Sequence, residues 1–142
     1  MIARLAILLP VLALGACRAA QPAGNGANDE VAMEHVLSSD GNFRVSYRTH
    51  PASIPLNEPF GVEVVVHDAH DGSVPDDIEF FIDGRMPHHR HGMLREPRIT
   101  RDDDGTYHVT GMLFHMPGYW EIHFDVTRDG ETERAQISLE LE

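Results

Sequence analysis

Apolar and polar positions alternate in short runs along most of this chain, and no stretch from residue 34 onward keeps a helical period. Phe43, Val45 and Tyr47 alternate with polar neighbours, as do Val62, Val64 and Val66, then Ile78, Phe80 and Ile82. Tyr107, Val109 and Leu113 follow, then Trp120, Ile122, Phe124 and Val126, and finally Ile137, Leu139 and Leu141. A period of two sends successive side chains to opposite faces, so each run predicts a strand with one buried and one wet face. The predicted strands are 43–48, 60–67, 78–83, 106–114, 119–127 and 132–141. A short seventh is expected at 98–101, between Pro97 and the turn Asp102-Asp103-Asp104-Gly105. Asp129-Gly130, between two alternating runs, predicts a hairpin. About seven short strands over residues 34–142 predict an all-β fold, an immunoglobulin-like antiparallel β-sandwich.

The chain before these strands has a different character. Arg4 precedes the apolar run Leu5 to Leu14, which is too short to cross a bilayer core of roughly 30 Å and reads as a secretory signal over residues 1–16. Leu14-Gly15-Ala16-Cys17 resembles a bacterial lipobox, in which the Cys becomes the lipid-modified first residue of the mature protein. That resemblance implies a domain held by acyl chains on the periplasmic side of a bacterial membrane, and Arg18 at the next position favours the outer membrane. Residues 17–33, rich in Ala, Gly and Asn, read as a flexible lipid-anchored linker ahead of the domain at 34–142.

Composition narrows the function. The 142 residues carry 23 acidic against 11 basic side chains and no lysine, a net charge of −12 that becomes −13 without residues 1–16. Binding to nucleic acid needs cations to replace counterions on phosphates, so no nucleic-acid partner is expected. A single Cys closes no disulfide within the chain and builds no thiolate cluster, and the lipobox gives Cys17 a use outside the fold. Ten histidines remain to be explained.

They are not evenly spread. If 98–101 is a strand, strands 78–83 and 106–114 run in the same direction, and the connections that follow them emerge at one pole. Those connections are Met86-Pro87-His88-His89-Arg90-His91-Gly92-Met93 and His115-Met116-Pro117-Gly118. The 31 residues from Met86 to Met116 hold five of the ten His and four of the six Met. In an extended segment His89, His91 and Met93 project to one side, and His88 and Arg90 to the other. His115 and Met116 then face them across the pole, with His115 continuing the inward register of 107, 109, 111 and 113. Met86 is a further candidate at the strand end. Met112 falls on the outward register with His108. His123 is expected on the wet face with Glu121 and Asp125, simply exposed. His67 and His70, beside Asp68 and Asp71, form at most a weak second site.

Imidazole with thioether is a soft donor set, and softness selects copper, Cu(I) ahead of Cu(II). Zinc more often recruits Cys or carboxylate, and calcium or magnesium wants oxygen. The two motifs, with Tyr119-Trp120-Glu121-Ile122 after the second, resemble the YtkA-like domain family. Its Met-Pro-x-His-x-His-Gly pattern falls on Met86, Pro87, His89, His91 and Gly92, and its His-Met-Pro-Gly on His115 to Gly118; His88 is extra to it. The resemblance implies a secreted immunoglobulin-like domain, often lipid-anchored, that binds copper or is linked to cytochrome oxidase and copper handling.

The expectation is therefore a non-enzymatic copper protein that stores copper or exchanges it with a copper-donating or copper-accepting protein, its candidate ligands Met86, His89, His91, Met93, His115 and Met116. Two alternatives stand beside it. One is a metal-free scaffold or interaction module, since a fold does not specify a function. The other is a cupin-type metalloenzyme, because His89-x-His91 followed by Glu96 resembles the first cupin metal motif. Against that, the glycine spacing is wrong, Pro97 breaks the strand that should carry Glu96, and no second motif is present. No Ser sits in a nucleophile turn.

Overall fold

The computed structural model describes residues 32–142. Cys17, the expected signal segment 1–16 and nearly all of the linker lie outside the described residues. Nine strands follow in chain order: β1 (Glu34–Leu37), β2 (Phe43–His50), β3 (Phe60–Asp68), β4 (Glu79–Met86), β5 (His91–Gly92), β6 (Arg98–Arg101), β7 (Tyr107–Met112), β8 (Gly118–Arg128) and β9 (Glu131–Leu141). One sheet has the order β1-β2-β3-β7-β6 and the other β5-β4-β8-β9, antiparallel throughout. This is the immunoglobulin-like sandwich that the alternation predicts, with two short strands added, β1 and β5.

The inward-facing positions form one apolar core between the sheets. Val45, Val62, Val64 and Val66 come from the first sheet, and Ile82, Ile122, Phe124 and Val126 from the second, all essentially without solvent exposure. β-branched and aromatic side chains suit a half-buried pleated surface, which is why these runs settle as strands. The Asp129-Gly130 turn closes the β8–β9 hairpin with Arg128 opposite Glu131.

The register of β7 departs from the expected one. Gly111 adopts φ +82°, and the ladder to β3 slips there, Phe60 facing Met112 while Gly61 faces Thr110. The extra residue is a β-bulge, and glycine takes the positive φ without steric penalty. Alternation inverts beyond it, so Met112 and Phe114 turn into the core and Leu113 and His115 do not follow the inward register. The expectation that Met112 faces outward is thus corrected. His123 is also corrected: it is 8% exposed, its Nε2 lying 3.0 Å from Glu121 Oε2. It belongs to β8, a central strand, and is flanked by Asp83 on β4 and Gln136 on β9.

A polar cluster ties the sheets together at the end of the sandwich near the β1–β2 turn. Ser38 Oγ donates to Glu133 Oε2 at 2.6 Å, Asn42 Nδ2 donates to Glu133 Oε1 at 2.6 Å, and Phe43 N donates to Ser38 Oγ at 3.0 Å. Burial works to raise the Glu133 pKa, but these donors outweigh it and hold the carboxyl below its ordinary 4.5. A depressed folded-state pKa contributes stability that is present above the unfolded value and lost as pH falls through the folded one. Glu133→Ala strands the Ser38 and Asn42 donors and should lower unfolding free energy by about 1–3 kcal/mol near neutral pH. Glu133→Gln should remove much of the loss of urea stability otherwise seen on acidification below about pH 4.5. An unchanged acid limb in that variant would show that the cluster does not govern acid stability.

Candidate metal centre

β4 and β7 both run toward one pole, because β6 is a true strand, paired antiparallel with β7 from Arg98 opposite Thr110 to Arg101 opposite Tyr107. The β4–β5 connection and the β7–β8 connection therefore meet there. The first is not extended as expected. Pro87–His89 forms a single 3₁₀ turn, and Arg90 closes it in the left-handed region at φ 58°. His91 then pairs back on Met86, and Gly92 on Arg85, making a tight hairpin. The turn breaks the alternation at residues 87–90, so side-chain directions there follow the turn and not a strand.

The result sorts the candidate residues. The His91 and His115 rings stand 5.3 Å apart, and His89 stands 5.8 Å from His91. His88 leaves the group to stack on Tyr119 at 5.2 Å. His91 Nδ1 lies 3.2 Å from the Gly92 carbonyl. A carbonyl only accepts, so in the neutral ring this contact puts the proton on Nδ1 and leaves Nε2 with its lone pair. His115 Nδ1 is buried and has no hydrogen-bond partner, the one imidazole nitrogen so placed among the described residues.

The methionines stand close by in different settings. Met93 N donates to the Gly84 carbonyl at 3.0 Å, and the Met93 Sδ accepts weakly from Leu113 N at 3.5 Å. Met86 is wholly buried, its methyl against Gly118. Met116 is half-buried and packs on the core, while its carbonyl accepts from Trp120 Nε1 at 2.9 Å. Among the described residues no three His, Cys, Asp or Glu side chains gather closely enough to hold a metal by themselves. His67 and His70 face different partners, the Gly72 carbonyl and Asn42 Oδ1.

Trp120, which sequence reasoning placed only in the core, forms the wall beneath both rings. It meets His115 edge-on at 5.7 Å and His91 at 6.3 Å. Phe114 stacks on it at 4.2 Å, and Phe114's own carbonyl is held by Asn57 N at 2.9 Å. Phe114 needs Gly84 opposite it, since a Cβ there would run into the ring. Gly84→Ala should displace the Phe114–Trp120 stack, costing about 1–3 kcal/mol as overpacking does and altering the near-ultraviolet circular dichroism. An unaltered aromatic spectrum would show that the stack tolerates the methyl. His115→Phe should raise the stability of the metal-free protein by about 1 kcal/mol, because it removes a buried nitrogen without a partner. A fall in melting temperature would mean the nitrogen is satisfied in solution.

No protein-family model matches the chain. A search of curated proteins likewise gives no match. Among solved structures, the chain is similar to a DUF4426 family protein from Pseudomonas aeruginosa, at 14% identity over 76% of this chain and 96% of that one, with a TM-score of 0.53. It also aligns with a copper-bound variant of FetP from uropathogenic Escherichia coli, at 8% identity over 78% of this chain and 95% of that one, with a TM-score of 0.48. What the first of these likenesses shows is the shared fold.

Proposed function

We propose that this protein binds copper at the pole where His91 and His115 meet and stores it or hands it on, without catalysing a reaction. The observation that carries the reading is His115 Nδ1, shut away from solvent without a partner, on a ring 5.3 Å from His91. Buried polar atoms are nearly always satisfied, and one left open beside a second imidazole is accounted for by an ion held between them. An unprotonated imidazole nitrogen is a common metal donor.

The donor set points to copper. Because no three His, Cys, Asp or Glu side chains converge among the described residues, an ion bound here draws on thioether sulfur beside imidazole. Met93 is the nearest in kind: its sulfur is engaged only by Leu113 N, and a thioether is a weak acceptor that is readily released. Met86 and Met116 stand at the same pole as reserve donors, and His89 on its exposed turn supplies another imidazole. Two imidazoles with a thioether suit Cu(I) better than zinc or a hard cation. A site with few ligands, one of them exposed, suits transfer, since a recipient displaces them one at a time. The lipobox at Cys17 and the linker after it support a lipid-anchored protein on the periplasmic side of a bacterial membrane, at the outer membrane by the residue after Cys17. There it would exchange copper with a donor or acceptor protein.

Anaerobic titration of the protein with Cu(I) against a chromogenic chelator tests this directly. One equivalent should bind and quench the fluorescence of Trp120, the single tryptophan, which lies 5.7 Å from the His115 ring. His91→Ala and His115→Ala should each weaken Cu(I) binding by about tenfold or more, equivalent to about 1.4 kcal/mol. Met93→Leu should weaken Cu(I) more than Cu(II), because only the softer ion favours sulfur. Equal uptake by all three variants and the parent would sink the site.

A further inference from the structure

The hairpin of β4 and β5 sets two candidate ligands on successive rungs. His91 faces Met86 and Gly92 faces Arg85, and Met93 N, donating to the Gly84 carbonyl at 3.0 Å, extends the register by one more pair. Residues two apart on a strand point the same way, roughly 6.5–7 Å from each other, so His91 and Met93 share the face of the buried Met86 and Gly84. The β7–β8 connection answers rung for rung. The His115 ring stands 5.3 Å from the His91 ring, and Leu113 N, two residues earlier, donates to Met93 Sδ at 3.5 Å. The imidazoles thus form the outer rung, nearer the pole, and the thioether lies one rung deeper.

The deeper rung is an unusual bond. Leu113 lies past the end of β7, beyond the last rung to β6 at Arg98 opposite Thr110, and its N–H goes to sulfur where a strand would offer an oxygen. A backbone N–H is a strong donor and a thioether a weak acceptor, so this pairing breaks at little cost. Met93 runs across the bare backbone of Gly84, its Cγ 3.2 Å from where a Cβ would stand. An unbranched side chain with three rotatable bonds needs little room to swing. Leu113 is half-buried, so water reaches its N–H once the sulfur leaves.

We propose that Met93 is a parked ligand: in the metal-free protein Leu113 N–H holds its sulfur one rung below the imidazoles, and Cu(I) draws the sulfur up to join His91 and His115, releasing the amide to water. The sulfur's destination rests on the copper reading; the parking contact does not. Cu(I) forms a bond to thioether sulfur that outweighs a weak hydrogen bond, which is why the ion moves the side chain. When a recipient takes the copper, the sulfur returns to the amide, and the regained hydrogen bond offsets part of the lost metal bond.

Amide hydrogen exchange on the isotope-labelled protein tests this in two steps, read by NMR at Leu113 relative to Phe124, which is buried in the central strand β8. In the metal-free protein, Met93→Leu keeps the apolar bulk and removes the acceptor. It should speed Leu113 exchange about fivefold or more, the loss expected for one hydrogen bond. In the parent, one equivalent of Cu(I) without oxygen should speed Leu113 exchange by a similar factor and shift the Met93 methyl resonance. The same addition to Met93→Leu should leave Leu113 exchange unchanged. Equal exchange in the metal-free parent and Met93→Leu overturns the parking. Copper uptake that leaves either the parent's Leu113 exchange or its Met93 methyl unmoved overturns the displacement. A parent that takes up no Cu(I) overturns the copper reading, and the metal-free comparison then decides the parking contact by itself.

Discussion

The pole of this sandwich is organised by one contact, the stack of Phe114 on Trp120. It joins the end of β7's chain segment to β8 of the opposite sheet, and it fits only because Gly84 on β4 offers no side chain where the ring lies. Three segments from two sheets are therefore fixed against each other within one aromatic layer. The loops that follow have little freedom left. His115 emerges directly after Phe114, and His91 folds back on Met86 two residues past Gly84, so the two imidazoles meet above the indole. Close-packed interiors transmit position in this way because neither ring can shift without opening a void.

Much of this was legible in the sequence, for physical reasons that can be named. The alternating runs at 43–47, 62–66, 120–126 and 137–141 declare their buried face because a strand repeats every two residues. The four residues 98–101, fenced by a proline and an acidic turn, sufficed to set the direction of β7 and hence to bring two loops to one pole. β5 was not legible, since two residues in a His-rich loop have no period. Nor was the bulge: an isolated glycine in a strand is compatible with either register, although Met112-Leu113-Phe114, three apolar residues in succession, is a signal that alternation fails there. His123 looked exposed because parity reports a face but not whether that face lies mid-sheet under neighbouring side chains.

Two polar groups at opposite ends of the domain are treated differently. The Glu133 carboxylate receives donors from Ser38 and Asn42, so a charge deep between sheets is fully answered. At the pole, one imidazole nitrogen is answered by nothing, and a thioether occupies itself with a backbone N–H for want of anything better. Where local rules are kept, the chain is being held together; at the pole the broken rule coincides with converging imidazoles and thioethers, which is what sets it apart.

The bulge at Gly111 has a consequence for how this chain can change. Because strand chemistry is a matter of parity, the single residue inserted there decides which of two neighbours, a benzyl ring or an imidazole, is swallowed by the core. A deletion of one residue between Tyr107 and Phe114 would exchange the two, leaving composition nearly untouched while erasing the pole. Substitutions along β7 can drift, but its length is locked to the odd count that the bulge supplies, and a homologous chain could keep every strand of the sandwich yet lose this chemistry by one step of register.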